Sequence, residues 1–381
     1  MASPSVTHCE VEGSGGVIEY TLRNGGLEAR VLSYGATLVS LLAPDRDGVL
    51  GEVTLCHETL AELQAKPGPY FGCIAGRYAN RIKDGAFSID DQSFSLARNN
   101  GPNALHGGLE GFDKKVWSGT ALVDHRGASV ELRYTSPDGE EGYPGALSVT
   151  VTYTLSAPDT DGHAHPAALS PAPPSSAPRL VISFYATTTR PTPINLTNHA
   201  YWNLSGRCRH APNAGPDPAA SLAMHTLHLP RSTTYLPVDD SQIPTGGAAA
   251  AVAGTPFDFL RPDVLGPQRL ASIDGGGRPG LDHCFCVDVV PSGDALPLVA
   301  VLAHAPSGRR LSLFASQPGL QVYTSNWLAL EAAEAPFVQH AAVCLETQHY
   351  PDAPNQAWMP PAILRPGEEY AEQSVFVLDC T

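Results

Sequence analysis

Across residues 147–155, Leu147, Val149, Val151, Tyr153 and Leu155 alternate with Ser148, Thr150, Thr152 and Thr154. Successive side chains of an extended strand point to opposite faces. A period of two held over this stretch therefore specifies a strand with one apolar and one polar face. Leu180, Ile182, Phe184 and Ala186 repeat the pattern, and shorter versions recur at 130–134, 300–303, 310–314, 321–325, 341–346 and 374–378. Near the N-terminus, residues 17–20 and 27–32 flank Asn24-Gly25-Gly26, a hairpin signal. The chain also holds 36 glycines and 35 prolines, which build turns and interrupt helices. Only residues 58–66, closed by Pro67-Gly68-Pro69, read as a helix. The expectation is an all-β chain: one large antiparallel β-sandwich domain over residues 1–381, with no repeat of fixed period.

One segment departs from this texture. Residues 156–179 carry six prolines with many Ala and Ser, and lie between the two strongest strand patterns. Strand pattern resumes at once, so the segment reads as a long hairpin loop, not as a linker between domains. Its His163 and His165 read as solvated loop residues, with metal binding the lesser alternative.

Charge narrows the partners. There are 23 basic and 38 acidic residues, a formal net charge of −15, which disfavours nucleic acid and anionic membrane. No apolar run approaches the roughly 20 residues that a membrane helix needs. Residues 1–10 have neither the basic nor the apolar part of a secretory signal, and the eight cysteines follow no framework spacing. Reduced thiols and a cytoplasmic location are the expectation.

Four polar clusters interrupt the strand pattern. The densest is residues 195–205, Asn-Leu-Thr-Asn-His-Ala-Tyr-Trp-Asn-Leu-Ser. Amides supply directional donors and acceptors, aromatics supply flat faces, and His199 titrates near neutrality. That mixture suits holding a polar ring and moving a proton on it, although a hydrogen-bonded strand end would also fit. The second cluster places Asn80 beside Arg81 in Gly76-Arg77-Tyr78-Ala79-Asn80-Arg81, a pairing suited to hydroxyl groups or to an ordinary turn. The third surrounds His106 with glycine in Asn99-Asn100-Gly101-Pro102-Asn103-Ala104-Leu105-His106-Gly107-Gly108. The fourth combines Asp282, Gln321 and Glu346; Glu346 closes an apolar strand, where a carboxylate marks either a site or a surface end. His106, His199, His283, His349, Asp282 and Glu346 would be enough ligands for one metal. No pair among them has a characteristic ligand spacing, so no metal is expected.

Taken in order, these clusters resemble the aldose 1-epimerase (galactose mutarotase) family. The resemblance is carried by 76–82, 103–108, Gly111-Phe112-Asp113-Lys114-Lys115-Val116-Trp117, Gly142-Tyr143-Pro144-Gly145, 195–203, 319–326, 345–354 and 364–370. It implies a galactose mutarotase-like supersandwich, a free monosaccharide substrate, no metal and no cofactor. It implies His199 as general acid and Glu346 as general base, with Asn80, Arg81, His106, Asp282 and Gln321 binding the sugar. The family often has Tyr where this chain has Leu281, which bears on local packing and not on Asp282.

The chemistry agrees with those residue types. Exchange of anomers requires O1 to lose a proton and the ring oxygen O5 to gain one, followed by ring opening, rotation about C1–C2 and closure. One acid and one base suffice, expected on opposite sides of the sugar, each worth ~10²–10⁴ in rate. An acidic His199 needs a raised pKa, for which Asp282 is the expected negative neighbour. Tyr201 or Trp202 would face the ring, and the three asparagines of 195–203 would fix backbone. A hexose-phosphate 1-epimerase would need a second cation beside Arg81, and Arg77 is expected to face away. A non-catalytic sugar-binding protein would need no acid–base pair, and a glycoside hydrolase would use two carboxylates, such as Asp282 and Glu346. A monomer or weak dimer is expected.

Overall fold

The strand expected from the clearest alternation spans Leu147–Ser156, and its five apolar residues are buried. It pairs in antiparallel fashion with Gly127–Ser136 on one side and Arg179–Thr188 on the other. The computed structural model describes residues 3–125, 127–156, 177–206, 221–288, 296–328 and 337–380.

These three strands lie within a nine-stranded sheet. Its order is Ser118–Asp124, Gly127–Ser136, Leu147–Ser156, Arg179–Thr188, Tyr370–Cys380, Arg309–Ala315, Leu298–His304, His225–His228 and Asp263–Val264. A five-stranded meander, running from Ser5–Glu10 to Leu50–Glu52, packs on the early strands of that sheet. A seven-stranded sheet carries the site, in the order Ala250–Ala251, Thr234–Tyr235, Asp282–Cys286, Gly319–Tyr323, Val343–Gln348, Tyr201–Trp202 and Thr54–Leu55. One apolar core joins all three sheets, with Leu22 and Leu41 from the meander, Val151, Phe184 and Leu313 from the large sheet, and Trp202, Phe285 and Leu345 from the third. Each such side chain taken out of water stabilises the fold by ~1.5–3 kcal/mol. The all-β, antiparallel β-sandwich reading holds: every pairing between these strands is antiparallel.

The proline-rich insertion behaves as a hairpin connection at its described ends. Ser156 pairs with Arg179, whose Nε donates to the Ser156 hydroxyl at 3.1 Å. Residues 157–176, His163 and His165 among them, lie outside the described residues. The expected helix is shorter than 58–66, at Leu60–Ala65, because Thr59 serves as its cap. The Thr59 hydroxyl accepts from the Glu62 amide and the Glu62 carboxylate accepts from the Thr59 amide.

Val343–Gln348 and Gly319–Tyr323 do not show one wet face, since both are buried along their whole length. One face packs on the core. Residues of the other line a cavity roofed by loops, which is where the polar clusters gather.

Candidate active site

Strand register assembles the fourth cluster. Gln321 stands directly opposite Glu346, and Tyr323 opposite Asp282. Gln321 and Asp282 are therefore diagonal neighbours on one face, and Gln321 Nε2 donates to Asp282 Oδ1 at 2.7 Å. Gln321 Oε1 and Glu346 Oε2 are buried without a hydrogen-bond partner, leaving two acceptors for a ligand.

His199 reaches the same face from the adjoining segment. Thr197–Asn198 pairs with Ile74–Ala75, and Tyr201–Trp202 lies between Val343–Gln348 and Thr54–Leu55. The His199 amide donates to the Cys73 carbonyl and its own carbonyl accepts from the Gly72 amide, both at 2.9 Å. The asparagines hold this path. Asn195 bonds the backbone of Ala79 and His349, Asn198 that of Gly72, and Asn203 that of Ala341. His199 Nε2 comes to 3.7 Å from Glu346 Oε2.

The two early clusters clamp onto each other. Arg81–Ile82 pairs with Ala104–Leu105, the His106 amide donates to the Asn80 carbonyl at 3.0 Å, and the Asn80 amide donates to His106 Nδ1 at 3.2 Å. An accepting Nδ1 puts the proton of a neutral His106 on Nε2. Burial, aided by His199, Arg81 and Lys114, holds His106 well below the usual histidine range. Arg81 is anchored through its amide to Asn80 Oδ1 and through Nε to Asn100 Oδ1.

All seven residues expected at the site, Asn80, Arg81, His106, His199, Asp282, Gln321 and Glu346, line one cavity of about 700 Å³. Residues 68–70 and 240–242, which no local pattern announced, also line it, as do residues 100–102 of the cluster around His106. Tyr70 is the notable addition, with its ring centroid 4.6 Å from His106 and 6.0 Å from His199. Only a positive φ, 58° at Tyr70, 62° at Asn80, 49° at His106 and 63° at Gln242, brings these lining residues into place.

Four expectations change. Trp202 is no platform: it is fully buried against Phe376, because alternation turns it away from the cavity wall that Tyr201 forms. The negative group beside His199 is Glu346, not Asp282, whose carboxylate is tied to Gln321. Burial wins over that neighbour and pushes His199 down to about 4, while burial and then Asp282 hold Glu346 well above the carboxylate range, with Arg81 opposing. His199 and Glu346, expected on opposite sides of the sugar, stand side by side on the cavity wall.

Arg77 does face away. It is buried and bonds Pro144, Gly145, Ser136 and Thr192, so Arg81 is the one Lys or Arg lining the cavity among the described residues. His283 packs on Phe257, and His349 meets Glu372 at 3.4 Å, so neither joins the cavity. His199, Cys344 and Glu346 do form a compact group of metal-ligand types. However, the thiol stands by Nδ1 and the carboxylate by Nε2, so they are arranged around the ring and not around a common point.

Comparison with known proteins identifies the family. Residues 19–161 and 175–376 match the family model described as aldose 1-epimerase. The chain is 39% identical to the galactose mutarotase of Sus scrofa over 368 residues, covering 96% of this chain and 95% of the porcine protein. It is 34% identical to the aldose 1-epimerase of Escherichia coli K12 over 357 residues, 92% of each chain. Its fold is similar to that of a galactose 1-epimerase from Lactobacillus acidophilus, with a TM-score of 0.78, 26% identity and 99% coverage of both chains. With a family match across most of its length and relatives above 30% identity from end to end, the chain belongs to the aldose 1-epimerase family.

Proposed function

We propose that the protein interconverts the α and β anomers of free aldohexoses such as galactose and glucose, with Glu346 as base and His199 as acid. The observation that carries this reading is the buried His199–Glu346 pair at 3.7 Å on the wall of the cavity. Proton transfer needs heavy-atom contacts of about 2.6–3.2 Å. Two groups this close can each contact one of two oxygens that share a carbon.

In the forward step ionised Glu346 takes the O1 proton, protonated His199 gives a proton to O5, the C1–O5 bond breaks and the aldehyde forms. Burial in the cavity favours the neutral pair, so the bound sugar's hydroxyls must stabilise the charged one. Rotation about C1–C2 presents the other carbonyl face. Closure returns the proton from O5 to His199 and the proton on Glu346 to O1. The pair begins and ends with the same number of protons, as an isomerisation requires. Gln321, Asp282, Asn80, Arg81 and neutral His106 supply donors and acceptors for the remaining hydroxyls, and Tyr70 and Tyr201 supply aromatic walls. Holding the hydroxyls while C1 turns favours reclosure on the same sugar.

A phosphorylated sugar fits less well. Asp240, Asp282 and Glu346 face a single Arg81, which repels a dianion. All of the proposed site residues come from one chain, which is consistent with a catalytic monomer or weak dimer acting as one domain. The buried thiols of Cys73, Cys284, Cys286 and Cys344 take part in no disulfide, which suits a reducing, cytoplasmic compartment. No helix among the described residues is long and apolar enough to cross a membrane.

The test is polarimetry on freshly dissolved α-D-galactose and α-D-glucose. The purified protein should speed the approach to equilibrium rotation, and EDTA should leave the rate unchanged. A rate no faster than buffer alone would overturn the reading.

A further inference from the structure

The sheet beneath the cavity carries the reacting groups in a fixed order. Gln321 stands opposite Glu346 on one side. His199, two residues before the Tyr201 that pairs with Cys344, lies on the other side of Glu346. Across the sheet the order is therefore His199, Glu346, Gln321, with Asp282 diagonal to Gln321 on the next strand. Carbon C1 of an aldose imposes an order of its own: O5 on one side, O1 on C1 itself, and the C2 substituent on the other side. With O5 at His199 and O1 at Glu346, the C2 substituent points toward Gln321 and Asp282.

The groups that meet it there are acceptors. Gln321 spends Nε2 on Asp282 Oδ1 at 2.7 Å, which turns Oε1 away from Asp282. Gln321 Oε1 and Glu346 Oε2 are both buried without a hydrogen-bond partner, on side chains that are 4% and 2% exposed. A hydroxyl placed among them gives one hydrogen and turns its lone pairs toward carboxylate oxygens. An ammonium brings three hydrogens, no lone pair and a positive charge. The wider cavity agrees in sign. Its carboxylates are Asp240, Asp282 and Glu346, against the single guanidinium of Arg81, with His106, His199 and the phenols of Tyr70, Tyr201 and Tyr323 as its other titratable groups. Arg81 acts on both Asp282 and Glu346, and one cation against three carboxylates leaves the lining negative.

We propose that the site takes 2-amino-2-deoxyhexoses, protonated at the amine, in preference to neutral hexoses, with the C2 ammonium held by Gln321 Oε1, Glu346 and Asp282. The inference rests on the mutarotase reading, with O1 at Glu346 and O5 at His199. The proton cycle is unchanged: Glu346 takes the O1 proton, His199 protonates O5, and closure returns both. The amine neither gains nor loses a proton. Its charge stands nearer to Glu346 than to His199, and so favours the ionised carboxylate that the forward step needs. Burial, and then Asp282, otherwise hold Glu346 well above the carboxylate range, and burial raises Asp282 as well.

The test is polarimetry on freshly dissolved D-galactosamine hydrochloride and α-D-galactose, each corrected for the buffer rate. Both are read at about pH 6.5 and about pH 9, below and above the ~7.7–8.0 at which an amine of this kind, like an α-amino group, titrates. At the lower pH, kcat/KM should be about five- to tenfold higher for galactosamine, the gain of a charge-assisted hydrogen bond over a neutral one. At the higher pH the ratio should fall to one or below. Galactose read at both values cancels the protein's own titration. Asp282→Asn should bring the ratio at the lower pH toward one; both sugars are read on one preparation, so the ratio does not depend on how much of the variant folds. A ratio of one or less at the lower pH, or one that does not change with pH, overturns the proposal. So does an Asp282→Asn protein with the native ratio. No catalysis on either sugar would instead overturn the mutarotase reading on which the inference rests.

Discussion

Replacing Glu346 by Gln keeps the shape of the side chain and removes its charge, and it should separate activity from stability. The carboxylate is buried and Oε2 has no hydrogen-bond partner. Its pKa lies well above the usual carboxylate value, chiefly through burial. A carboxyl group whose folded pKa exceeds its unfolded value binds more protons when folded. Stability from this group is therefore complete below about pH 4.3, the unfolded value, and declines as pH rises toward the folded pKa. At neutral pH Glu346 weakens the fold, and an unsatisfied buried polar group alone costs on the order of 1–3 kcal/mol. Glu346→Gln should thus unfold at the same temperature as the native protein or higher at pH 7, with a flatter decline from pH 5 upward. The rate should fall by ~10²–10⁴, or ~3–5 kcal/mol of barrier, the usual worth of one general base. Polarimetry on α-D-galactose reads the first quantity and thermal unfolding followed by circular dichroism the second. A variant within threefold of the native rate would remove Glu346 from the mechanism. A variant with normal rate loss but a clearly lower melting temperature would show that the charge is compensated in a way that the burial argument misses.

Arg81→Ala should raise KM for galactose ~10-fold or more with a smaller effect on kcat, because the guanidinium is placed to bind hydroxyls and not to move a proton; steady-state polarimetry over a range of sugar concentrations separates the two. His225 sits outside the cavity, accepts the Leu204 amide at Nε2 and is pushed down to about 3 by burial and then His304. The unfolded chain takes up a proton there below about pH 6.5, so stability is lost as pH falls from 6.5 toward 3, by up to ~1.4 kcal/mol per pH unit; His225→Gln should remove that share of the slope in urea titrations at several pH values. Replacing residues 157–176 by a short Gly/Ser turn should leave the mutarotation rate within twofold, since Ser156 and Arg179 are already paired, and should raise stability by at most ~2 kcal/mol through the shorter closed loop.

The parts of this molecule that obey a period were legible from sequence. The alternation at Leu147 to Leu155 gave the strand, its buried face and its place in an antiparallel sheet, because side chains one strand position apart must face opposite ways. The same rule makes Tyr201 a cavity wall and buries its neighbour Trp202 in the core, yet the sequence alone did not say which of the two faces which side. Tyr70 lay in a Pro-Gly-Pro-Tyr loop with no period at all, and its place beside His106 and His199 depends on pairings made far along the chain. The electrostatic sign at His199 was misread for a related reason. A sequence shows which charges exist but not which one comes within 4 Å, nor how much water burial removes; here Glu346 is the neighbour and desolvation dominates.

The left-handed backbone around the cavity carries the last argument. Asn tolerates a positive φ, but Tyr, His and Gln do so at a cost of roughly 1–2 kcal/mol each. Tyr70, His106 and Gln242 all adopt it, and all line the cavity. Each is held there by backbone bonds: Tyr70 N to the Pro67 carbonyl at 2.9 Å, His106 N to the Asn80 carbonyl at 3.0 Å, Gln242 N to the Asp239 carbonyl at 2.9 Å. Folding elsewhere in the sandwich thus maintains three strained turns, and what they deliver is side chains aimed at one volume before any ligand arrives. Tyr70 separates strain from side-chain function. Tyr70→Ala removes the ring and keeps the strain, whereas Tyr70→Gly removes both. Relief of the backbone, offset by the extra unfolded-state entropy of glycine of roughly 0.5–1 kcal/mol, should make the Gly variant up to ~1 kcal/mol more stable than the Ala variant. Both should bind sugar less well, since each lacks the aromatic wall. If the Ala variant proved the more stable of the two in urea denaturation, the turn at Tyr70 would be relaxed, and preorganisation would have to come from the strands alone.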